Sequence, residues 1–176
     1  MAGTTGHPLP KKLGIKAGHK VCLLNAPGHV ERHILALSEL GEVRIAHDLR
    51  LPPVDVVVLF VDSLADLEKR FSDIAARLHP AGGFWVAWPS ARSRRPTNIT
   101  EDVVRRIALV AGMVGNKVTS FRGGWAGMRL VLRPEMRDAM AYRAEPRPMR
   151  RARRTSQHSI SGAGSAMHRA RARSTK

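Results

Sequence analysis

An uninterrupted apolar run, V-D-V-V-V-L-F-V-D at residues 54–62, constrains the fold more than any other feature of this sequence. Valine favours strands, and a strand that is apolar on both faces has to be covered on both faces. The central strand of a parallel sheet meets this condition, because crossover connections place helices on its two sides. The run therefore predicts the middle strand of an α/β protein.

Segments with helical and strand periodicity alternate on both sides of this run. Strands are predicted at 20–25, in E-V-R-I-A-H-D, at 54–62, in F-W-V-A-W-P, and as a β-hairpin at 116–121 and 127–132. Helices are predicted at 28–40, 64–78 and 101–112, with Gly41 as a C-cap and Ser63 and Thr100 as N-caps. The order β-α-β-β-α-β-α-β-β predicts a Rossmann-like, doubly wound, mostly parallel sheet. The hairpin should add one antiparallel strand to it.

The apolar pattern ends at Tyr142, so we expect one α/β domain at 1–142 and a disordered tail at 143–176. The net charge is +16, and the tail holds ten of the 30 Lys and Arg residues with one acid, Glu145. The densest tail cluster is Arg147, Arg150, Arg151, Arg153 and Arg154. These arginines could bind nucleic-acid phosphates without sequence preference, or could reflect the codon usage of a GC-rich genome.

The single cysteine, Cys22, lies in an apolar run and is expected to be buried. One cysteine allows no internal disulfide, which favours a reducing cytoplasm. No apolar run reaches the roughly 18 residues of a membrane span, and residues 1–12 lack the apolar region of a signal peptide. We therefore expect a cytoplasmic protein without a membrane partner. The oligomeric state stays open.

Several motifs carry a resemblance. G-I-K-A-G-H-K-V-C-L-L-N-A-P-G, R-L-H-P-A-G-G-F-W-V-A-W-P and the segment from 101 to the closing hairpin resemble parts of the S-adenosylmethionine-dependent methyltransferase fold. Residues 2 to about 133 more closely resemble a bacterial family of small proteins known as domain of unknown function 3052, through L-L-N-A-P, D-V-V-V-L-F-V and T-E-D-V-V-R-R-I-A-L. This resemblance implies a Rossmann-like domain of bacterial origin and implies no activity.

In such a fold, ligands bind at the carboxyl ends of the strands. Methyltransferases usually carry acidic-x-Gly-x-Gly after the first strand, whereas this chain has N-A-P-G, so Ala26 and Pro27 should crowd a cofactor. Asp48, at the end of strand two, could hold a ribose or could be a turn residue. Trp88 could stack on a flat ligand or pack in the core. The candidate crevice comprises Asn25, Pro27, Gly28, Asp48, Ser63 and Trp88. We expect no cofactor, with S-adenosylmethionine or a nucleotide as the alternative.

The loop after Trp88 brings together Ser90, Arg92, Arg94 and Arg95, which suit a phosphate or another anion unless they are simply a solvated loop. His29 and His33 have the i, i+4 spacing of metal ligands, but no third ligand accompanies them, so no metal is expected. No catalytic motif is recognisable.

Three functions therefore compete for this chain. The first is a non-catalytic binding or regulatory module with a vestigial methyltransferase-like pocket. The second is an enzyme that uses S-adenosylmethionine or a nucleotide. The third is a protein that associates with nucleic acid through its tail. The loop N-A-P-G favours the first over the second.

Overall fold

The computed structural model describes residues 8–35, 41–50 and 53–138. Six strands form one sheet in the order β2-β1-β3-β4-β6-β5. The strands are β1 (Lys20–Leu24), β2 (Arg44–Ala46), β3 (Val54–Phe60), β4 (Leu78–Pro89), β5 (Met113–Phe121) and β6 (Trp125–Leu132). The first four pair in parallel, and β6 is antiparallel to both β4 and β5. The doubly wound, mostly parallel sheet with one antiparallel hairpin strand is confirmed.

The helices are α1 (Leu9–Leu13), α2 (Gly28–Leu35), α3 (Leu64–Arg77) and α4 (Glu101–Val110), with a 3-10 turn at Ala91–Ser93. Each face of the sheet has its own apolar core. Leu13, Val30 and Ile34 of α1 and α2 pack on one face, and the residues of α3 and α4 pack on the other. Strand β3 lies between β1 and β4 and is covered on both faces, as the valine-rich run predicts.

Both predicted N-caps are formed. The Ser63 hydroxyl accepts a hydrogen bond from the Asp66 N–H, and the Thr100 hydroxyl accepts one from the Val103 N–H. These contacts satisfy amide groups that a helix leaves without partners at its start, which is why α3 and α4 begin where the sequence indicates.

Several strand boundaries differ from the prediction: β6 begins at Trp125 instead of residue 127, and β2 covers only Arg44–Ala46 of the predicted segment 42–48. Strand β4 begins at Leu78 instead of Phe84, and its first residue already pairs with Val54. Gly82 permits this close approach, since a β-carbon there would lie 2.6 Å from the Asp55 carbonyl oxygen. Strand β5 begins at Met113, three residues earlier than predicted, directly after Gly112 in a left-handed turn (φ 72°).

The sequence also hides helix α1, in a segment that reads as polar. Leu13 is fully buried, and its carbonyl accepts a hydrogen bond of 3.0 Å from the Trp85 indole N–H. The spacing of Leu9 and Leu13 was the available signal. Through this contact, helix α1 holds the residues before β1 against strand β4 in the sheet.

Parts of the prediction fall outside the described residues. These are the last turn of the predicted first helix, at 36–40, and the arginine-rich tail at 143–176 with its proposed nucleic-acid residues Arg147, Arg150, Arg151, Arg153 and Arg154. Within the described residues, no helix is long and apolar enough to cross a membrane.

Candidate functional site at the carboxyl edge

The carboxyl ends of β1, β3 and β4 meet the hairpin between β5 and β6 at one edge of the sheet. Strand β6 is antiparallel, so its first residue, Trp125, pairs with the last residue of β4, Pro89, and also with Phe121. The hairpin loop at 122–124 is therefore brought to the edge where α/β proteins bind ligands. Sequence reasoning missed this loop, because the register between β4 and β6 cannot be read from either segment alone.

The loop after β1 is tied to the neighbouring strand. Asn25 has the left-handed conformation (φ 54°), and its side-chain amide donates to the Phe60 carbonyl at the end of β3, at 3.4 Å. The Pro27 carbonyl accepts the N–H groups of Val30 and Glu31, so Pro27 sets the start of α2. Gly28, the only glycine of the loop, is exposed as the first residue of that helix.

Asp48 lies just beyond β2, where the resemblance implies a ribose ligand. Its carboxylate accepts the backbone N–H of Arg50 at 3.1 Å and pairs with the Arg50 guanidinium at 3.2 Å. Its carbonyl accepts the Cys22 thiol at 3.2 Å. Burial, with a smaller contribution from the Asp48 charge, raises the pKa of the Cys22 thiol to about 11. Cys22 is fully buried, as predicted, and it is protonated at neutral pH.

The loop after β3 is hydrogen-bonded to the segment after β4. The Thr97 hydroxyl donates to the Asp62 carbonyl at 2.7 Å, and the Asn98 side chain accepts the Leu64 N–H at 2.8 Å. Ser63 lies between these contacts and is already used as the cap of α3. The Asp62 carbonyl, the Leu64 N–H and the Ser63 hydroxyl are therefore bonded within the protein.

We call residues Ser90–Arg95 the arginine loop. Its three guanidiniums differ in their surroundings: Arg95 donates to the Gly123 carbonyl at 2.9 Å and lies 4.2 Å from the centre of the Trp125 ring. Arg92 and Arg94 are exposed, and neither forms an ion pair with any residue that the structure describes. The Ser90 N–H donates to the Gly124 carbonyl at 2.8 Å. The arginine loop and the hairpin loop thus form one connected unit.

The two tryptophans of this region have different roles. Trp88 is 6% exposed and packs in the core beneath α3 and α4. Trp125 is equally buried on the other face, where its ring contacts Phe60 edge to face, with centres 5.1 Å apart. Its indole N–H has no hydrogen-bond partner among the residues that the structure describes. Trp125, which the sequence analysis did not select, is the tryptophan beneath the arginine loop.

His29 connects α2 to the hairpin loop, with its Nε2 at 3.4 Å from the Arg122 carbonyl. A β-carbon on Gly123 would overlap this imidazole, and Gly123 has a positive φ of 78°, so glycine is required there for two reasons. Glu31, on the same helix, pairs with His47. In the described part of the chain, no three His, Cys, Asp or Glu side chains are grouped as metal ligands.

Comparison with solved structures places this fold beside methyltransferases. An S-adenosylmethionine-dependent methyltransferase from Aquifex aeolicus is 15% identical, with 69% of this chain and 86% of that chain covered at a TM-score of 0.50. The pyocyanin biosynthetic protein PhzM is 13% identical, with 72% of this chain covered and a TM-score of 0.49. The match covers only 54% of the PhzM chain. Magnesium protoporphyrin IX methyltransferase from Synechocystis, solved with bound SAH, is 12% identical at a TM-score of 0.46. The match covers 66% of this chain and 75% of that chain.

The likeness to the Aquifex aeolicus protein establishes the fold. No curated protein matches the chain. A family model described as "Protein of unknown function (DUF3052)" matches residues 11–134, which include every described element from β1 to β6. The family resemblance of the sequence is thereby confirmed: the chain belongs to the DUF3052 family.

Proposed function

We propose that this domain is a non-catalytic binding module, a methyltransferase-like fold whose cofactor edge is closed by its own hydrogen bonds. The supporting observation is that groups at the strand ends bond to one another. Asn25 donates to the end of β3, and Thr97 donates to the Asp62 carbonyl. Arg95 holds the hairpin loop through Gly123. A cofactor entering here would have to break these contacts, and the half-buried Phe60 carbonyl would lose its partner.

The ligand that we propose is an anion held by the arginine loop. Arg92 and Arg94 present two positive charges beside the hairpin loop, without an ion pair among the described residues. Arg94 also has φ 56°, a conformation that residues other than glycine rarely adopt. Such strained residues persist where the surrounding structure holds them, and they cluster at ligand-binding sites. Guanidinium groups bind phosphate and carboxylate through paired hydrogen bonds.

The experiment is a calorimetric titration of the full chain with inorganic pyrophosphate. Three proteins are compared: the native chain, Arg92→Ala/Arg94→Ala, and Arg70→Ala/Arg106→Ala. The last pair removes two exposed arginines from α3 and α4 and is the control for net charge. We expect the first double variant to bind at least tenfold more weakly and the control to bind like the native chain. Equal loss in both variants, or no binding by the native chain, would contradict the assignment.

Two other functions have their own supporting observations. Asp48 at the end of β2 and the methyltransferase neighbours favour an enzyme that uses S-adenosylmethionine. The arginine clusters of the tail favour association with nucleic acid. A cytoplasmic location is compatible with all three, because the chain has one cysteine and no disulfide to maintain.

A further inference from the structure

A cavity of about 280 Å³ lies against strands β1 and β2. Seven residues line it: Lys20, Val21, Arg44, Ile45, Ala46, Asp48 and Val54. Side chains alternate along a strand, and Cys22 belongs to the core beneath α3 and α4, so Lys20 lies on that same face of the sheet. The cavity is thus on the α3 side of the sheet, at its β2 edge.

The path of the chain explains why this space is open. The described residues between β2 and β3, at 47–50 and 53, contain no helix, and the main contacts of α3 and α4 are with strands β4, β5 and β6. On this side α3 and α4 cover Cys22 and Leu24 of β1, but no residue of β2 belongs to their core. One wall is fixed instead by a loop, because the Arg77 guanidinium donates to the Leu49 carbonyl at 2.8 Å.

Two positively charged residues, Lys20 and Arg44, lie side by side at this cavity without a negative partner among the described residues. Lys20 and Arg44 are direct partners in the parallel ladder, so their side chains extend from the same face of adjacent strands. Like charges placed directly opposite each other on a sheet are destabilising. Neither side chain forms an ion pair within the described ranges. The nearby acids are engaged elsewhere: Asp48 with Arg50, and Asp55 with the backbone N–H of Lys20 at 2.8 Å.

We infer that this cavity binds a small organic anion with an apolar body. The negative group would lie between the Lys20 ammonium and the Arg44 guanidinium, and the apolar body would lie against Ala46 and the buried Val54. The volume is near the lower end of the range for small-molecule sites, about 300 Å³. The site is separate from the arginine loop, since β1 and β3 lie between β2 and β4, a distance of about 14 Å at the usual strand spacing.

The test is a titration of the full chain, labelled with ¹⁵N, with four small probes followed by NMR. Benzoate and phenyl phosphate have both the charge and the apolar body, benzamide lacks the charge, and inorganic phosphate lacks the apolar body. The variant is Lys20→Gln/Arg44→Gln, with Lys69→Gln/Arg106→Gln as a control that removes the same charge from exposed helix positions. We expect benzoate or phenyl phosphate to shift the amide signals of β1 and β2, with at least tenfold weaker binding of the other two probes.

The variants give the decisive comparison. Lys20→Gln/Arg44→Gln should weaken at least tenfold the binding of the anionic aromatic probes that is measured from the β1 and β2 signals, whereas the control Lys69→Gln/Arg106→Gln should leave it unchanged. A second measurement uses no probe: each single variant, Lys20→Gln or Arg44→Gln, should raise the melting temperature at low salt, because it removes one of two like charges on directly paired residues. Absence of binding by both aromatic anions, or equal binding by the double variant, would overturn the inference. Unchanged or lowered melting temperatures in both single variants would also contradict it.

Discussion

The Arg95 guanidinium lies 4.2 Å from the centre of the Trp125 ring and donates to the Gly123 carbonyl, so one side chain joins the arginine loop to the hairpin. Arg95→Ala removes both contacts. At an exposed site, a cation–π contact and a charged hydrogen bond together should contribute about 1–2 kcal/mol of unfolding free energy. Arg94→Ala, next to it and without such contacts, is the matched control and should change stability by less than about 0.5 kcal/mol. Chemical denaturation of both variants measures the difference; equal stability would mean that Arg95 does not hold the edge together.

The tryptophans of the α2 face form a second matched pair. The Trp85 indole N–H donates to the Leu13 carbonyl at 3.0 Å, whereas the Trp125 N–H has no partner within residues 8–35, 41–50 and 53–138. Both variants Trp85→Phe and Trp125→Phe lose ring volume, but only the first leaves a buried carbonyl without its donor. Trp85→Phe should therefore cost about 1 kcal/mol more unfolding free energy than Trp125→Phe. If Trp125→Phe proved the costlier change, the indole N–H of Trp125 would have a partner in solution.

Cys22 should make stability depend on alkaline pH. Its pKa is about 11 in the folded state against an ordinary 9.0, so the unfolded chain loses the thiol proton first as pH rises. The contribution of the protonated Cys22 thiol to the unfolding free energy is fully present below pH 9 and is lost as pH rises through 11. Two pH units correspond to roughly 2.7 kcal/mol. Because lysines titrate in this range too, the measurement is the difference between the native chain and Cys22→Ala from pH 8 to 11. A constant difference would show that the thiol is not buried in solution.

Much of the fold could be predicted because the physical causes are local. The valine-rich run 54–60 needs cover on both faces, and Ser63 and Thr100 cap the helices that they precede. The missed elements depend on distant partners. Helix α1 is stabilised by the contact of Leu13 with Trp85, 72 residues away, and the start of β4 is set by its pairing with Val54.

The site was less predictable than the fold for the same reason. The sequence predicts that Asn25 and Arg95 lie near strand ends. It does not reveal their hydrogen-bond acceptors, the Phe60 and Gly123 carbonyls, because other strands bring these to the edge. The sequence also does not show that Arg95 is bonded whereas Arg92 and Arg94 are not, within the part of the chain that the structure describes. Nor does it show that Trp88 and Trp125 belong to the cores of opposite faces of the sheet. Strand order and register create these distinctions.

The tail prediction concerns residues outside the described structure. If the eight arginines Arg147, Arg150, Arg151, Arg153, Arg154, Arg169, Arg171 and Arg173 all engage duplex DNA, log affinity should fall against log salt with a slope of roughly −7. Binding should show no sequence preference, and it should be lost when the chain is cut after Arg143. Fluorescence anisotropy of both chains at several salt concentrations measures this. Equally tight binding by the shortened chain would place the contact in the folded domain, for instance at Arg92 and Arg94.

We propose that hydrogen bonds within the protein, together with Ala26 and Pro27, close the cofactor edge of this methyltransferase-like fold. A calorimetric titration of the full chain with S-adenosylmethionine, alongside melting in its presence, tests this proposal. We expect no saturable heat and no stabilisation. A ligand held at 100 times its dissociation constant would add about 2.7 kcal/mol to the unfolding free energy, which is readily detected. Micromolar binding that Asp48→Asn weakens at least tenfold would contradict the account and would make Asp48 a ribose ligand.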